Sequence, residues 1–138
     1  MRFMVMIKSD ETTEAGTMPT EAELAEMGAY NEELVKAGVM LAGEGLHPSS
    51  KGAKVKFSGG KPSVLDGPFT EAKELVAGFW LIQVSSHEEA IEWVKRCPVR
   101  EGEIEIRRVF EEDDFGAEFT PELRAKEAEL REEIGKQQ

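Results

Sequence analysis

VAGFWLIQV, Val76–Val84, is the most apolar stretch of the chain and decides its fold. A run this dense in Val, Phe, Trp, Leu and Ile, with no charge in it, predicts a central strand covered on both faces. Two residues on, Ser86 and Glu89 have capping-box spacing, so a helix opens there with Ala90, Ile91, Val94 and Cys97 inward. Pro98 ends it. Glu103–Phe110 then reads as a strand with Ile104 and Ile106 on one face. The order is strand, helix, strand.

The first half of the chain repeats that order. Arg2–Lys8 reads as a strand, and Ser9–Pro19 as a polar, acidic loop. Thr20 and Glu23 form a second capping-box pattern, opening a helix with Leu24, Met27, Leu34 and Val35 on one face and Gly38 as its stop. Val39–Leu46 follows as a buried strand interrupted by Ala42, Gly43 and Gly45. Between the two units, Lys54–Phe57 and Ser63–Leu65 are short strands joined at Gly59-Gly60 as a hairpin. Asp66-Gly67-Pro68-Phe69 is turn chemistry, and Thr70 is placed to cap one helical turn through Lys73. Two split β-α-β units predict an α+β, ferredoxin-like fold with an inserted β-hairpin, its antiparallel sheet carrying both helices on one face. The bare face predicts a homodimer.

Composition bounds the function. The chain has 138 residues, 17 basic and 28 acidic, for a net charge of −11. At 40% hydrophobic and 33% charged it has the make-up of a folded domain. Direct nucleic-acid binding is excluded as a general role, since neutralising phosphates needs an excess of Lys and Arg. No apolar run has the length of a membrane span or a signal-peptide core, so a cytoplasmic protein is expected. A single cysteine, Cys97, suits a reducing compartment. The charge is uneven: from Glu111 onward there are ten acidic and four basic residues. Residues 1–110 therefore read as the domain and 111–138 as an acidic C-terminal extension. Within the extension, Thr120 and Pro121 open a C-terminal helix over 119–135. Its apolar stripe, Leu123, Leu130 and Ile134, is narrow, so the helix is expected to dock on something.

Six residues are candidates for a site. Asp66, in a Gly-Pro turn at a strand end, reads as a general base or ligand anchor, against the alternative of an Asx cap on its own turn. His47 is the candidate acid–base partner of Asp66, imidazole being the usual proton-transfer side chain, against a plain surface histidine. Glu44, between two glycines, faces the interior paired with Lys73 or a ligand, or else faces water from an edge strand. Tyr30 and Trp80 either line the same cavity or are core. His87 reads as exposed and Cys97 as inert packing. Two histidines and one cysteine at no ligand spacing predict no zinc site, and no cofactor is implied.

The stretch Asp66-Gly67-Pro68-Phe69-Thr70-Glu71-Ala72-Lys73-Glu74 resembles the DGPF branch of the YCII-related family. Gly43-Glu44-Gly45-Leu46, Phe57-Ser58-Gly59-Gly60-Lys61-Pro62 and Gly78-Phe79-Trp80-Leu81-Ile82 extend the likeness over residues 1 to about 110. The resemblance implies a bacterial, dimeric α+β barrel. Some relatives carry a His–Asp pair suited to acid–base chemistry on small molecules, with the His on the first helix. That helix here offers Tyr30, Asn31, Glu32 and Glu33 instead, a departure from the His–Asp pattern. The expectation is a small-molecule binder or a cofactor-independent isomerase- or lyase-like enzyme. The alternative, from the frequent coupling of such proteins to extracytoplasmic-function sigma factors, is a non-catalytic regulatory or interaction protein.

Overall fold

The computed structural model describes residues 1–137. They divide into two compact units, Met1–Arg108 and a second that begins at Val109. The first contains β1 (Arg2–Lys8), α1 (Glu11–Glu14), α2 (Glu21–Lys36), β2 (Met40–Gly45), β3 (Ala53–Ser58), β4 (Lys61–Asp66), β5 (Val76–Gln83), α3 (His87–Lys95) and β6 (Ile104–Arg108). Four strands form an antiparallel sheet in the order β2-β5-β1-β6, and β3 with β4 forms a separate two-stranded ribbon. This is the ferredoxin-like order with the hairpin inserted between its second and third strands.

Alternation along the two central strands sets the layers. Phe3, Val5, Trp80 and Ile82 project to the face where Tyr30 and Leu34 of α2 and Ala90 of α3 are buried with them. The neighbouring residues Met4, Met6, Phe79 and Leu81 project to the other face, which neither α2 nor α3 covers.

Local chemistry explains the helix ends. Thr20 Oγ1 accepts from the Glu23 amide at 3.1 Å while Glu23 Oε1 accepts from the Thr20 amide at 3.3 Å, the reciprocal capping box. At α3 the box is displaced by one residue. Ser86 Oγ accepts from the Glu89 amide at 3.1 Å, but Glu89 returns its carboxylate to Ser85, whose amide donates at 2.6 Å. The Ser85 amide, and with it the Ser85 hydroxyl, which donates to the same oxygen at 2.8 Å, hold the Glu89 carboxyl below its ordinary range. The hairpin turn places Gly59 and Gly60 at φ 59° and 78°, a left-handed pair that residues with a Cβ resist.

Several expectations are corrected. The loop after β1 contains α1, capped by Asp10 Oδ1, which accepts from the Thr13 amide at 2.7 Å. On α2 the buried face is Tyr30 and Leu34 with Met27 beside them, whereas Leu24 and Val35 stand 59% and 62% exposed. At 100° per residue these two lie roughly a quarter-turn round the helix from the buried line, so the stripe was phased wrongly. β2 is an edge strand, with Leu41 exposed, and not a buried one. Thr70 caps nothing: the turn after the hairpin is a 3₁₀ turn at Ala72–Glu74, which has no side-chain cap.

The second unit contains a 3₁₀ turn at Glu112–Asp114 and α4 (Pro121–Lys136). Thr120 Oγ1 caps α4 by accepting from the Leu123 amide at 3.3 Å, with Pro121 in the first turn, where a missing N–H costs nothing. Phe110 stacks on Phe115 at 5.1 Å, and Phe115 meets Phe119 at a tilt, 5.2 Å between ring centres. Arg124 lies over the Phe119 ring at 5.1 Å and donates to the Phe119 carbonyl at 3.0 Å. Leu123, Leu130 and Ile134 are all about half exposed.

Candidate functional site

The helix-free face of the sheet carries a patterned surface. In register across all four strands lie Glu44, Phe79, Met6 and Glu105, and beside them Ala42, Leu81, Met4 and Arg107. Met4, Met6, Phe79 and Leu81 form a half-buried apolar floor. At one side Lys8 Nζ pairs with Glu105 Oε1 at 3.0 Å, and Arg107 approaches the other oxygen at 3.8 Å. Lys8 is only 20% exposed, so the pair is screened less than a surface one and holds the Glu105 carboxylate in place. At the opposite side Glu44 is exposed on the edge strand β2. The arrangement can seat a small, mostly apolar body and offer carboxylates and cations to its polar substituents.

The Asp66-Gly67-Pro68-Phe69 turn is clamped to the Ser49–Lys51 turn. Ser49 Oγ accepts from the Phe69 amide at 3.0 Å, and the Gly67 amide donates to the Gly52 carbonyl at 3.0 Å. Ser49 is itself held by Glu14 of α1, whose carboxylate accepts from the Ser49 amide at 3.0 Å and from its hydroxyl. A Cβ on Gly67 would lie 1.7 Å from the Ser49 carbonyl oxygen, so only glycine allows this approach. Lys54 Nζ sits 4.2 Å from the centre of the Phe69 ring. The motif thus works as a clasp between three segments, and Asp66 is not its cap.

The six candidates separate. Asp66, His47, Glu44 and Lys73 are exposed. No hydrogen bond or ion pair joins Asp66 to His47, or Glu44 to Lys73, among the described residues. In sequence His47 and Asp66 flank the Ser49–Gly67 contact. Glu44 alone of the six lies in the patterned row.

Tyr30 and Trp80 are core. Each is 6% exposed, and they meet edge to face at 5.7 Å. Tyr30 OH donates to the Trp93 carbonyl at 2.8 Å, and Trp80 Nε1 donates to Asn31 Oδ1 at 2.8 Å. Burial, and then the nearby Cys97, push the Tyr30 hydroxyl well above its usual range, so it stays a donor. The missing Cβ of Gly43 makes room for Trp80, whose Cδ1 would be 2.9 Å away. Two open depressions mark the other face: about 370 Å³ between α3 and β6, and about 260 Å³ edged by Glu26, Tyr30, Glu33 and Arg96. Tyr30 is the one candidate on either rim.

Lys8, Glu105, Glu14 and Ser49 were not singled out from sequence. Lys8 carried a weak signal, a charge closing the apolar run Phe3–Ile7, whereas Glu105 carried none, since β6 also holds Arg107 and Arg108. Glu14 and Ser49 carried none, being 35 residues apart in polar loops. Among the described residues no group of three or more His, Cys, Asp or Glu side chains is placed to hold a metal ion. No helix of the described residues is long and apolar enough to cross a membrane.

Cys97 is buried, and burial raises its thiol to about 11. Alkylation of the native protein at pH 8 should therefore be at least tenfold slower than in urea. The raised value also sets the sign of a pH effect. Stability from the buried neutral thiol is complete below the unfolded thiol range, about 8.5, and declines as pH rises through the folded value. A Cys97→Ala protein should lack that component of the decline in an alkaline denaturation series.

Residues 1–113 match the YCII-related domain. The chain belongs to that family. Over 97 residues it is 31% identical to an uncharacterized protein of Rhizobium meliloti (strain 1021), covering 69% of this chain and 78% of the relative. Among solved structures it is similar to 5-chloro-2-hydroxyhydroquinone dehydrochlorinase from Burkholderia phenoliruptrix AC1100, in complex with 2,5-dihydroxybenzoquinone. That likeness has a TM-score of 0.46 at 16% identity, covering 84% of this chain and 100% of the other. The YCII-related domain takes in all six strands and the clasp, while α4 lies beyond the matched residues.

Proposed function

We propose that this YCII-related protein, of the DGPF branch by its Asp66–Phe69 motif, is a homodimer that binds a small molecule on the helix-free sheet face. The observation that carries the reading is the row Glu44, Phe79, Met6 and Glu105. An apolar floor with charge at both ends is a costly surface to leave in water, and a second copy of the same face closes it by two-fold symmetry. A ligand held there meets an apolar floor, the Lys8–Glu105 pair and the exposed Glu44 carboxylate. Glu44 is the group that accepts a proton in cofactor-independent, isomerase- or lyase-like chemistry, within hydrogen-bond reach of an acidic C–H or O–H of the ligand. Asp66 and His47 have no part in this reading.

The chain's methionines test it. In a protein carrying ¹³C-methyl methionine, phenolic and enol-type fragments should shift Met4 and Met6 and leave Met27, on the helix side, unmoved. Leu81→Asp should abolish both the shifts and the dimer in sedimentation equilibrium at micromolar concentration. Glu44→Gln should keep the dimer and weaken the binding of donor-bearing fragments at least tenfold. Shifts confined to Met27, or a Leu81→Asp protein of unchanged mass and binding, would overturn the reading. A Glu44→Gln protein with unchanged binding would leave a non-catalytic interaction module as the better account.

A further inference from the structure

The four-stranded sheet has two edges, and they differ. β2 is broken by an irregular register between Met40 and Ala42 and carries two glycines, features that discourage further pairing. β6 runs in unbroken register with β1 from Ile104 to Arg108. The Lys8 amide donates to the Glu103 carbonyl at 3.0 Å in that same register. Backbone direction alternates along an antiparallel strand, so Glu105 and Arg107 turn their amides and carbonyls to β1. Ile104 and Ile106 turn theirs to the open edge. Among the described residues no hydrogen bond reaches these outward groups of Ile104 and Ile106.

The side chains beside that edge are unfinished too. Ile104 and Ile106 lie on the helix side of the sheet, where with Ile91, Val94 and Val99 they line the open depression of about 370 Å³ between α3 and β6. All five are only half-buried. On the opposite side of β6 stand Glu105 and Arg107. Lys8 holds Oε1 of Glu105, while Oε2 meets only the chain's own Arg107 at 3.8 Å, and that arginine is 73% exposed.

One register makes this strand complementary to itself. A two-fold axis at Ile106 sets Glu105 of each copy directly opposite Arg107 of the other, on the same side of the joined sheet. These opposed residues form non-hydrogen-bonded pairs, where side chains come closest. An axis at Glu105 or at Arg107 would instead set like charges against each other. Charges commonly guard an edge strand against pairing; here their order admits one partner.

We infer that the open edge of β6 is an interaction surface for a second copy of this chain, paired antiparallel through its own β6 about Ile106. Ile106 and the partner's Ile106 exchange both backbone hydrogen bonds, and the two Glu105–Arg107 pairs fix the register. The two depressions meet beside the axis in one apolar seam, and the two sheets become one. This contact leaves the helix-free faces uncovered and does not rest on their stacking.

The test uses the full chain. Amide exchange is followed by NMR across a dilution series that spans association. The Ile106 amide should exchange at least tenfold more slowly at high concentration and lose that protection on dilution. A dimer formed only through the helix-free face leaves this amide at the open edge, so the readout separates the two contacts. In sedimentation equilibrium Glu105→Arg and Arg107→Glu should each weaken this association about tenfold, since each sets like charges opposite one another twice. Mixed in equal amounts, the two variants should associate with each other as the wild type does, because every facing pair is again opposite in sign. That recovery, with circular dichroism melts, confirms that both are folded. Ile106 exchange that ignores protein concentration would overturn the inference. So would two variants that gain nothing by being mixed. In a Leu81→Asp protein the concentration-dependent protection of Ile106 should persist; its loss there would assign the protection to the helix-free face and overturn the edge contact.

Discussion

Trp80→Ala should lower the free energy of unfolding by about 3–5 kcal/mol, the range for emptying a large aromatic site in a core. Trp80 sits on the central strand β5, between β2 and β1, and fills the gap that Gly43 leaves on the neighbouring strand. Its ring meets Tyr30 edge to face, and its Nε1 satisfies Asn31. Removing it empties the site, ends the ring contact and leaves the half-buried Asn31 without its donor. Against a typical total of about 5–15 kcal/mol, the loss is a large fraction of the stability of such a domain. Equilibrium urea unfolding measures it. Trp80→Phe separates the terms, since it keeps most of the volume and removes the N–H, and should cost about 1–2 kcal/mol. A double-mutant cycle with Asn31→Ala should then show coupling of at least 0.5 kcal/mol, as for other residues in direct contact. A loss under about 1 kcal/mol for Trp80→Ala would mean that the side chain is not packed as described.

Gly67→Ala should cost about 3 kcal/mol, at the upper end of overpacking penalties. The added Cβ would meet Ser49 carbonyl oxygen at 1.7 Å and its carbon at 2.6 Å, and both are backbone atoms that cannot swing aside. Relief requires the two turns to part. Parting breaks the Gly67–Gly52 bond and the Ser49–Phe69 bond together, and frees the root of the β3–β4 ribbon. Amide exchange at Gly67 and Phe69 should accelerate by more than tenfold, while the core amides of β1 and β5 slow or speed only with global stability. Asp66→Asn, one residue away on an exposed side chain, should lie within about 0.5 kcal/mol of the wild type. Similar stability losses for the two variants would contradict the clasp. The contrast places the structural weight of the motif on its glycine, whereas the sequence drew attention to its aspartate.

Much of the fold was legible in the chain before any packing was known. Hydrogen bonds that span three or four residues leave their mark at fixed spacing, so Thr20 with Glu23, Ser86 with Glu89, and Thr120 with Pro121 announced three helix starts correctly. The glycine pair at residues 59 and 60 announced the hairpin for a similar local reason, a backbone conformation that other residues resist. The apolar density of Val76–Val84 announced the central strand. Element order then left few antiparallel arrangements open, and the ferredoxin-like one was the simplest.

Tertiary structure alone decided which side chains meet. Leu24 and Val35 have the same apolar chemistry as Leu34, and only the way α2 lies on the sheet turns one inward and the other two outward. Tyr30 and Trp80 left pocket and core both open, because aromatic rings suit either; the partners that settle the matter, the Trp93 carbonyl and Asn31, lie 63 and 49 residues away. The row of Glu44, Phe79, Met6 and Glu105 exists only once four strands are in register, and Glu14 finds Ser49 only when two polar loops are folded together. Sequence by itself therefore determined the main strands and helices, their order and the family, because those rest largely on interactions between near neighbours. The composition of the candidate site rests on contacts between residues far apart in the chain, which no local pattern encodes.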